Sequence, residues 1–246
     1  MSKTGSGEGP ATKAKESASR TDITIILDRS GSMGRRREEV IRSFNDLLAE
    51  QRGTGGKAKI SLVQFDDEYE SVYRGIGLSE APDLTVETYE PRGTTALLDA
   101  IGRTIKDTET RLKRRAMKRR EKGRKPADPR VLVVVITDGL ENASTDHTLE
   151  DVRREIARQE KDWNWSFVFL GAGLDAFSQA GDMGMAAGRA VRMGAGSKAW
   201  GRSMRMVSSK MRLMRSLDRE ASMDQVRSAL EFTDEERQEA RDKADD

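Results

Sequence analysis

The chain has 246 residues, of which 35% are apolar and 35% are charged, and its formal net charge is +2. This length accommodates one α/β domain with tails, but so large a charged fraction excludes a single uniformly dense globule. The balanced net charge indicates no strongly basic or acidic partner for the chain as a whole. The absence of cysteine excludes disulfides, thiolate zinc sites and a cysteine nucleophile, and is compatible with a reducing compartment.

The first twenty residues form a segment of low hydrophobicity. Residues 1–20 are rich in Gly, Ser, Lys and Glu, so they cannot bury enough surface to offset the entropy of ordering, and we expect a disordered arm. They contain no apolar segment typical of a secretory signal. The longest apolar run, Val131 to Ile136, is too short to span a bilayer. We therefore expect a soluble, cytoplasmic protein that does not associate with membranes.

The first half of the chain alternates between strand and helix patterns. "TDITIILD" (21–28) is a β-branched run typical of a buried strand. Residues 35–51 carry apolar side chains at helical spacing, and "GTGG" ends that helix. A second strand follows at 58–65, and the alternating residues 69–75 predict a hairpin partner at the edge of the sheet.

The second half continues the alternation. It predicts a Gly/Thr loop and helix over 92–105, a strand at 131–139, a helix at 148–160, a strand at 165–172, a helix near 174–183 and a weak edge strand at 189–193. The strand at 131–139 is continuously apolar, as in the centre of a parallel sheet. We therefore predict an α/β fold: a doubly wound, mostly parallel sheet with one antiparallel edge strand.

Oxygen-bearing side chains follow several of these elements. Asp28 ends the first strand, Ser30 and Ser32 follow it, and Asp138 ends the strand at 131–139. Ligands of open α/β sheets bind at the carboxyl ends of the strands, so both aspartates would reach one crevice if the two strands are neighbours. A loop carrying Thr94 and Thr95 could join them.

This set predicts a metal site. Carboxylates and hydroxyls are hard oxygen ligands, which suit Mg²⁺, and also Mn²⁺ or Ca²⁺, better than zinc or copper. Because few of the ligands are charged, the ion would keep much of its positive charge and favour an acidic ligand from outside. We expect a protein partner to supply that Asp or Glu.

The motifs "DRSGSM", "GTTALLDAI" and "ITDG" stand in the order and spacing of the von Willebrand factor type A family, which the chain resembles. The family's metal-ion-dependent adhesion site (MIDAS) is written D-x-S-x-S … T … D. The resemblance implies a complete MIDAS, with the ligands Asp28, Ser30, Ser32, Thr95 and Asp138. Thr95 is preferred to Thr94 because it precedes the "ALLDAI" helix start, and the choice between them stays open.

The resemblance covers residues 21–195. It implies a Rossmann-like domain, a bound Mg²⁺ and protein–protein recognition through the ion. We therefore expect a binding module and not an enzyme. In general terms the sequence is similar to the bacterial and phage branch of the family. The segment 111–130 is expected to be an enlarged, basic connection before the central strand.

Other interpretations of these motifs are weaker. Ser and Asp also cap helices, but capping does not explain the three residues after the first strand together with Thr95 and Asp138. The order Ser32, Asp138, His147 matches the triad order of a serine hydrolase, but the nucleophile elbow is incomplete. "GAGLDA" (171–176) resembles a dinucleotide fingerprint, yet it follows a late strand, so ordinary turn glycines are favoured.

The segment 111–125 contains ten Lys or Arg residues and one acidic residue. A solvated helix extension or a loop would explain it. The alternative is a nucleic-acid-associated accessory protein that contacts the phosphate backbone through this segment, without base stacking because aromatic residues are absent.

Residues 196–246 form a predicted helical extension with a charged tail. Within 199–217, an apolar stripe follows helical spacing and consists of Trp200, Met204, Val207, Met211 and Met214. Such a stripe favours a helix docked on the domain, although a Met-rich surface can also bind a partner. Residues 233–246 are expected to be a capped, charged helix or a frayed tail.

Overall fold

The computed structural model describes residues 20–126, 128–172, 176–194 and 196–241. The strands are β1 (Thr21–Asp28), β2 (Ala58–Phe65), β3 (Tyr69–Gly77), β4 (Arg130–Thr137), β5 (Ser166–Ala172) and β6 (Ala190–Met193). The helices are α1 (Arg37–Gly53), α2 (Leu97–Glu121), α3 (Leu149–Asp162), α4 (Ala176–Asp182), α5 (Ser197–Ser216), α6 (Met223–Leu230) and α7 (Asp234–Ala240). Two 3₁₀ turns lie at Gly31–Arg36 and Ala187–Arg189.

The six strands form one sheet in the order β3-β2-β1-β4-β5-β6. Only β3 runs antiparallel, and it occupies an edge next to β2. The predicted fold class is therefore confirmed. The predicted arm 1–20 lies almost entirely outside the described residues, as do the middle of "GAGLDA" and the end of the charged tail.

The two central strands are β1 and β4, which pair in parallel with Leu27 opposite Ile136. The chain winds outward from this pair in both directions, because β2 follows β1 on one side and β5 follows β4 on the other. The carboxyl ends of β1 and β4 thus meet where the strand order reverses, which is where such sheets bind ligands.

Helices cover both faces of the sheet and enclose two apolar cores. On one face, Phe44 of α1 and Trp200 of α5 pack against the sheet residues Ile25 and Val134. On the other face, α2 and α3 contribute their own apolar stripes. Since both faces are covered, β4 is continuously apolar from Val131 to Ile136 rather than alternating, and every residue of β1 is buried.

Helix α5 belongs to the core of the domain. All five residues of its predicted apolar stripe are buried, and Trp200 and Met211 are fully so. The Trp200 indole donates a hydrogen bond of 3.1 Å to the Ser43 hydroxyl on α1. The docked-helix interpretation is confirmed, and these methionines are not available as a partner-binding surface.

Helix α2 is longer than the sequence analysis predicts. It continues through residues 111–121, so a solvated helix extension, one of the two explanations left open for this basic segment, is the correct one up to Glu121. Lys, Arg, Ala and Met all favour helix, so the basic composition extends the helix rather than breaking it. The helix ends just before Gly123, whose φ of +65° is the left-handed conformation typical of a helix terminus.

The C-terminal part adds two short helices. The predicted cap at Thr233 is confirmed, because its hydroxyl accepts from the Glu236 amide and the Glu236 carboxylate reaches back to the Thr233 amide. Helix α6 is an additional element that the sequence analysis does not predict. Within the described ranges, no helix has the length and hydropathy needed to cross a membrane.

Candidate metal centre

The predicted ligands lie at the carboxyl edge of the sheet, on three neighbouring loops. Asp28 ends β1, Ser30 and Ser32 belong to the turn that follows, Thr95 precedes α2, and Asp138 follows β4. Asp28, Ser30 and Thr95 are buried, whereas Ser32 is exposed. The site is therefore a mostly buried cluster with one side open to solvent.

Asp28 is the most deeply buried of these groups. One carboxylate oxygen accepts from the Ser30 amide at 2.6 Å and the other accepts from the Thr137 hydroxyl at 2.5 Å. Burial raises the pKa of Asp28 from 3.8 to about 6, although hydrogen bonds from Thr137 and Ser30 oppose the rise. An anion at this position is costly unless a cation compensates it.

A chain of short polar contacts connects the next three residues. The hydroxyls of Ser30 and Ser32 lie 3.0 Å apart, and the Ser32 hydroxyl donates to the Asp138 carboxylate at 2.5 Å. Ser30 precedes the first 3₁₀ turn, but its side chain makes no capping hydrogen bond. Capping therefore does not account for the Ser30 hydroxyl, which faces the other predicted ligands instead.

Thr95 lies beside this chain. Its hydroxyl is so close to Gly139 that a Cβ on that glycine would come within 2.9 Å of it. The Thr95 amide donates to the side-chain oxygen of Asn142 at 2.9 Å, which ties the threonine loop to the loop after β4. Thr94 is exposed and its amide donates to Asp67 at 3.3 Å. Thr95, rather than Thr94, thus lies beside Gly139, the residue that follows Asp138.

Backbone contacts fix the loops to one another. The Gly31 amide donates to the Gly93 carbonyl at 3.2 Å, joining the serine turn to the threonine loop. Gly93 has a φ of +64°, and a side chain there would collide with Asp67. Beneath the loops, buried Asp66 accepts hydrogen bonds of 2.9 Å from both Arg29 and Arg92. These contacts hold the loops in fixed positions relative to one another.

Three further residues support the site, and the sequence analysis does not identify them. Thr137 orients Asp28, and the Tyr89 hydroxyl donates to the Asp28 carbonyl oxygen at 2.7 Å. Arg36 lies 3.4 Å from the Asp138 carboxylate and its guanidinium is 5.2 Å from the Trp200 ring centre. A polar residue ending the apolar run "VVVIT" is a usable signal for Thr137, whereas no local pattern indicates Tyr89 or Arg36.

His147 is held away from the predicted nucleophile. Its ring nitrogen lies 3.2 Å from the Asp99 carboxylate, and the ring packs against Gly102 of α2. Asp99 also accepts from the Thr145 and Asp146 amides. In the described part of the chain, no hydrogen bond joins His147 to Ser32 or Asp138, so the structure does not assemble the Ser-Asp-His set.

The donor set fits a hard divalent cation. It consists of two carboxylates and three hydroxyls, all oxygen, with one carboxylate destabilised by burial. Among the described residues, no group of three or more His, Asp or Glu side chains is arranged to hold a metal. A softer metal ion that prefers nitrogen ligands therefore has no comparable site there. A cation held mainly by neutral hydroxyls would retain charge for an additional anionic ligand.

Comparison with known proteins agrees with the fold described above. The family model of the von Willebrand factor type A domain matches residues 22–193. No curated protein matches the sequence.

Several solved structures share the fold. Proximal thread matrix protein 1 from the mussel byssus is 13% identical with a TM-score of 0.55, and the match covers 78% of this chain and 48% of that one. A von Willebrand factor type A protein from Catenulispora acidiphila is 16% identical with a TM-score of 0.53, covering 79% and 43%. The ArnB paralog VWA2 from Sulfolobus acidocaldarius is 15% identical with a TM-score of 0.50, covering 78% and 46%.

These likenesses concern the fold, because the identities are low. The chain spans less than half the length of the solved structures it matches. A further structure of the mussel protein, 13% identical with a TM-score of 0.54, has a zinc-occupied MIDAS motif.

Proposed function

The chain belongs to the von Willebrand factor type A family, and on that basis we propose that it is a metal-dependent protein-binding module that recognises an acidic side chain of its partner. The observation that carries the proposal is the convergence of Asp28, Ser30, Ser32 and Asp138 through contacts of 2.5 to 3.0 Å. Thr95 completes the family's motif from the neighbouring loop. These five residues form a complete MIDAS.

The five residues would hold a divalent ion directly or through water. Mg²⁺ is the ion that this all-oxygen, mostly neutral set suits best, with Mn²⁺ or Ca²⁺ as substitutes. When bound, the ion supplies a Lewis-acidic position for a carboxylate. The residues around it orient the ligands: Thr137 holds Asp28, and Asn142 holds the backbone of Thr95.

The surroundings favour an anionic partner group. The 3₁₀ turn that carries Ser32 continues directly into Arg35 and Arg36, and Arg35 is exposed. Positive charge beside an open coordination position attracts a carboxylate and repels a cationic group. The partner in this proposal therefore presents an Asp or Glu to the open side of the cluster, next to Ser32.

We further propose that the module is not an enzyme and acts in the cytoplasm. The support for the first point is the pairing of His147 with Asp99, which leaves Ser32 without an imidazole base. The support for the second is the absence of cysteine, which suits a reducing compartment.

Metal binding can be tested directly by calorimetric titration with Mg²⁺ and Mn²⁺. We expect Asp28→Ala and Ser32→Ala to lose binding, because each removes an oxygen ligand. Thr94→Ala is the matched control, since Thr94 is exposed next to Thr95 and should retain wild-type affinity. If Thr94→Ala lost the metal while Thr95→Ala kept it, the assignment of the threonine would be wrong.

Partner binding requires a second experiment. The protein is immobilised and used to capture partners from an extract of the source cells, with Mg²⁺ or with chelator. We expect a specific protein to be retained by the wild type and by Thr94→Ala in Mg²⁺, and to be lost with chelator or with Asp28→Ala. Recovery of the same protein under all of these conditions would contradict the proposal.

A further inference from the structure

The far half of helix α2 borders a strongly cationic groove. The groove has a volume of about 680 Å³ and is lined by Arg74, Asp107, Thr110, Arg111, Arg114, Arg115, Lys118, Arg119, Lys122 and Arg124. Eight of these ten residues are cationic and one is acidic. We propose that this groove binds the phosphodiester backbone of a nucleic acid.

Helical geometry gathers the charges on one side of α2. Residues 111, 115 and 119 form one row at i, i+4 spacing, and residues 114, 118 and 122 form a second row beside it. Along each row a cation recurs about every 6 Å along the helix axis, because four residues rise about 1.5 Å each. Exposed Arg74, on the edge strand β3, also lines the groove. A fold that joins a helix and a strand thus produces a concave surface with regularly spaced positive charge.

Internal carboxylates neutralise only part of this charge. Buried Asp22 accepts a bidentate pair of hydrogen bonds from Arg111 at 2.7 and 2.8 Å, and Arg74 lies 3.5 Å from Asp107. In the described ranges, no carboxylate lies within 4.0 Å of the cationic groups of Arg114, Lys118, Lys122 or Arg124. Uncompensated cations crowded together repel one another, and an external polyanion relieves that repulsion.

The crowding also affects a partly buried member of the groove. The pKa of Arg115 is lowered, chiefly by burial. The Asp22 carboxylate opposes this decrease, whereas the neighbouring guanidinium of Arg111 adds to it. Arg115 is 3.9 Å from the Asp22 carboxylate that Arg111 already occupies. The two arginines therefore share one counter-charge.

The groove fits a phosphate backbone better than a membrane. None of its lining residues is aromatic or large and apolar, so it offers no side chain for insertion into lipid or for stacking on a base. Met117, the exposed apolar residue of this helix, is absent from the lining. Arginine forks and concave shape suit phosphate oxygens along a strand, with affinity independent of base sequence.

The groove lies at the opposite end of the sheet from the metal centre. Arg111 is anchored to Asp22 near the start of β1, while Asp28 ends the same strand. Six residues of extended chain separate the two aspartates by about 20 Å. Nucleic acid in the groove would therefore leave the metal centre free, and this inference does not depend on the proposed metal-dependent function.

The test is fluorescence anisotropy with labelled duplex DNA of about two dozen base pairs, and with single-stranded DNA and RNA of the same sequence, at rising salt. The test variant combines Arg114→Gln, Lys118→Gln and Lys122→Gln. The matched control combines Lys198→Gln, Arg205→Gln and Arg212→Gln, which removes the same charge from exposed positions of α5 on the other face of the sheet.

We expect the wild type to bind at least one of the three nucleic acids, with the preferred form identifying the natural class. The groove variant should bind about tenfold or more weakly at about 100 mM salt, and the slope of log K against log salt should become shallower by about 2 to 3, since about three phosphate contacts are lost. The control variant and added chelator should each leave the affinity unchanged.

Three results would overturn the inference. One is a wild type that binds none of the nucleic acids even at low salt. Another is equal weakening in the groove variant and the control variant, because non-specific net charge would then explain the binding. The third is binding to polyglutamate, or to vesicles containing phosphatidylserine, that is tighter than binding to nucleic acid and is lost to the same degree in the groove variant. That result would assign the groove to an acidic protein or a membrane.

Discussion

Replacing Asp28 with asparagine should stabilise the metal-free protein at neutral pH and abolish its stabilisation by divalent cations. Burial raises the pKa of Asp28 from 3.8 to about 6. One pH unit corresponds to about 1.4 kcal/mol, so ionised Asp28 disfavours the metal-free folded state by on the order of 3 kcal/mol at neutral pH. Asparagine removes that charge while keeping the size of the side chain.

The hydrogen bonds at this position can survive the change. The asparagine oxygen can accept from the Ser30 amide, which donates to Asp28 at 2.6 Å in the wild type. The asparagine amino group can donate to the Thr137 hydroxyl, whose own proton can turn to the Gly139 carbonyl oxygen at 3.2 Å. Because no buried group is left unpaired, we expect most of the electrostatic gain, about 2 kcal/mol, to be measurable.

The pH dependence gives the sign of the effect. In the wild type the folded-state pKa of Asp28 is above the unfolded value, so the contribution of Asp28 to stability is largest below about pH 4 and falls as the pH rises to about 6. The asparagine variant lacks this fall. Thermal unfolding in chelator should therefore show a Tm about 5 °C higher for the variant at about pH 7.5, with the difference shrinking towards about pH 4.5.

Asp28→Ala serves as the control, because it removes the charge together with both hydrogen bonds and should be less stable than Asp28→Asn. Addition of Mg²⁺ should raise the Tm of the wild type only. A gain for Asp28→Asn that is equally large at both pH values would refute the titration argument. A variant less stable than the wild type at neutral pH in chelator would refute the claim that burial of the anion is costly.

Three other substitutions test the supporting structure. Gly139→Ala should lower metal affinity about tenfold by calorimetry, because its Cβ would come within 2.9 Å of the Thr95 hydroxyl; unchanged affinity would contradict the placement of Thr95. Tyr89→Phe leaves the buried Asp28 carbonyl oxygen without its 2.7 Å partner and should cost about 1 to 2 kcal/mol in urea unfolding. Trp200→Ala should cost about 3 to 5 kcal/mol in the same assay, and a loss below about 1 kcal/mol would show that α5 is not part of the core.

The secondary structure follows closely from the sequence. The strands β1 and β2 have the predicted bounds, and β3 has the predicted place at the sheet edge. Alternating β-branched runs and helical stripes are local signals, so no knowledge of neighbours is needed to interpret them. The extension of α2 to Glu121 is left open between helix and loop by the sequence, because a solvated basic segment has no apolar stripe, although its residues favour helix.

The residues of the candidate site can also be predicted from the sequence, provided that the strands that carry them are neighbours in the sheet. Asp28 and Asp138 can share a crevice only if their strands are neighbours, and about a hundred residues separate them along the chain. The pairing of β1 with β4 meets that condition. The motif spacing identifies the residues, and the sheet order brings them together.

The sequence alone determined the alternation of elements, the hard-oxygen donors at strand ends and the apolar stripe of the C-terminal helix, because each of these is written in neighbouring residues. Tertiary structure alone decided that Tyr89 supports Asp28 and that Arg36 lies between Asp138 and Trp200. It also placed the basic half of α2 against Arg74 to make a groove. Such contacts join residues far apart in the chain, and their energies depend on burial and distance, which only the packed fold establishes.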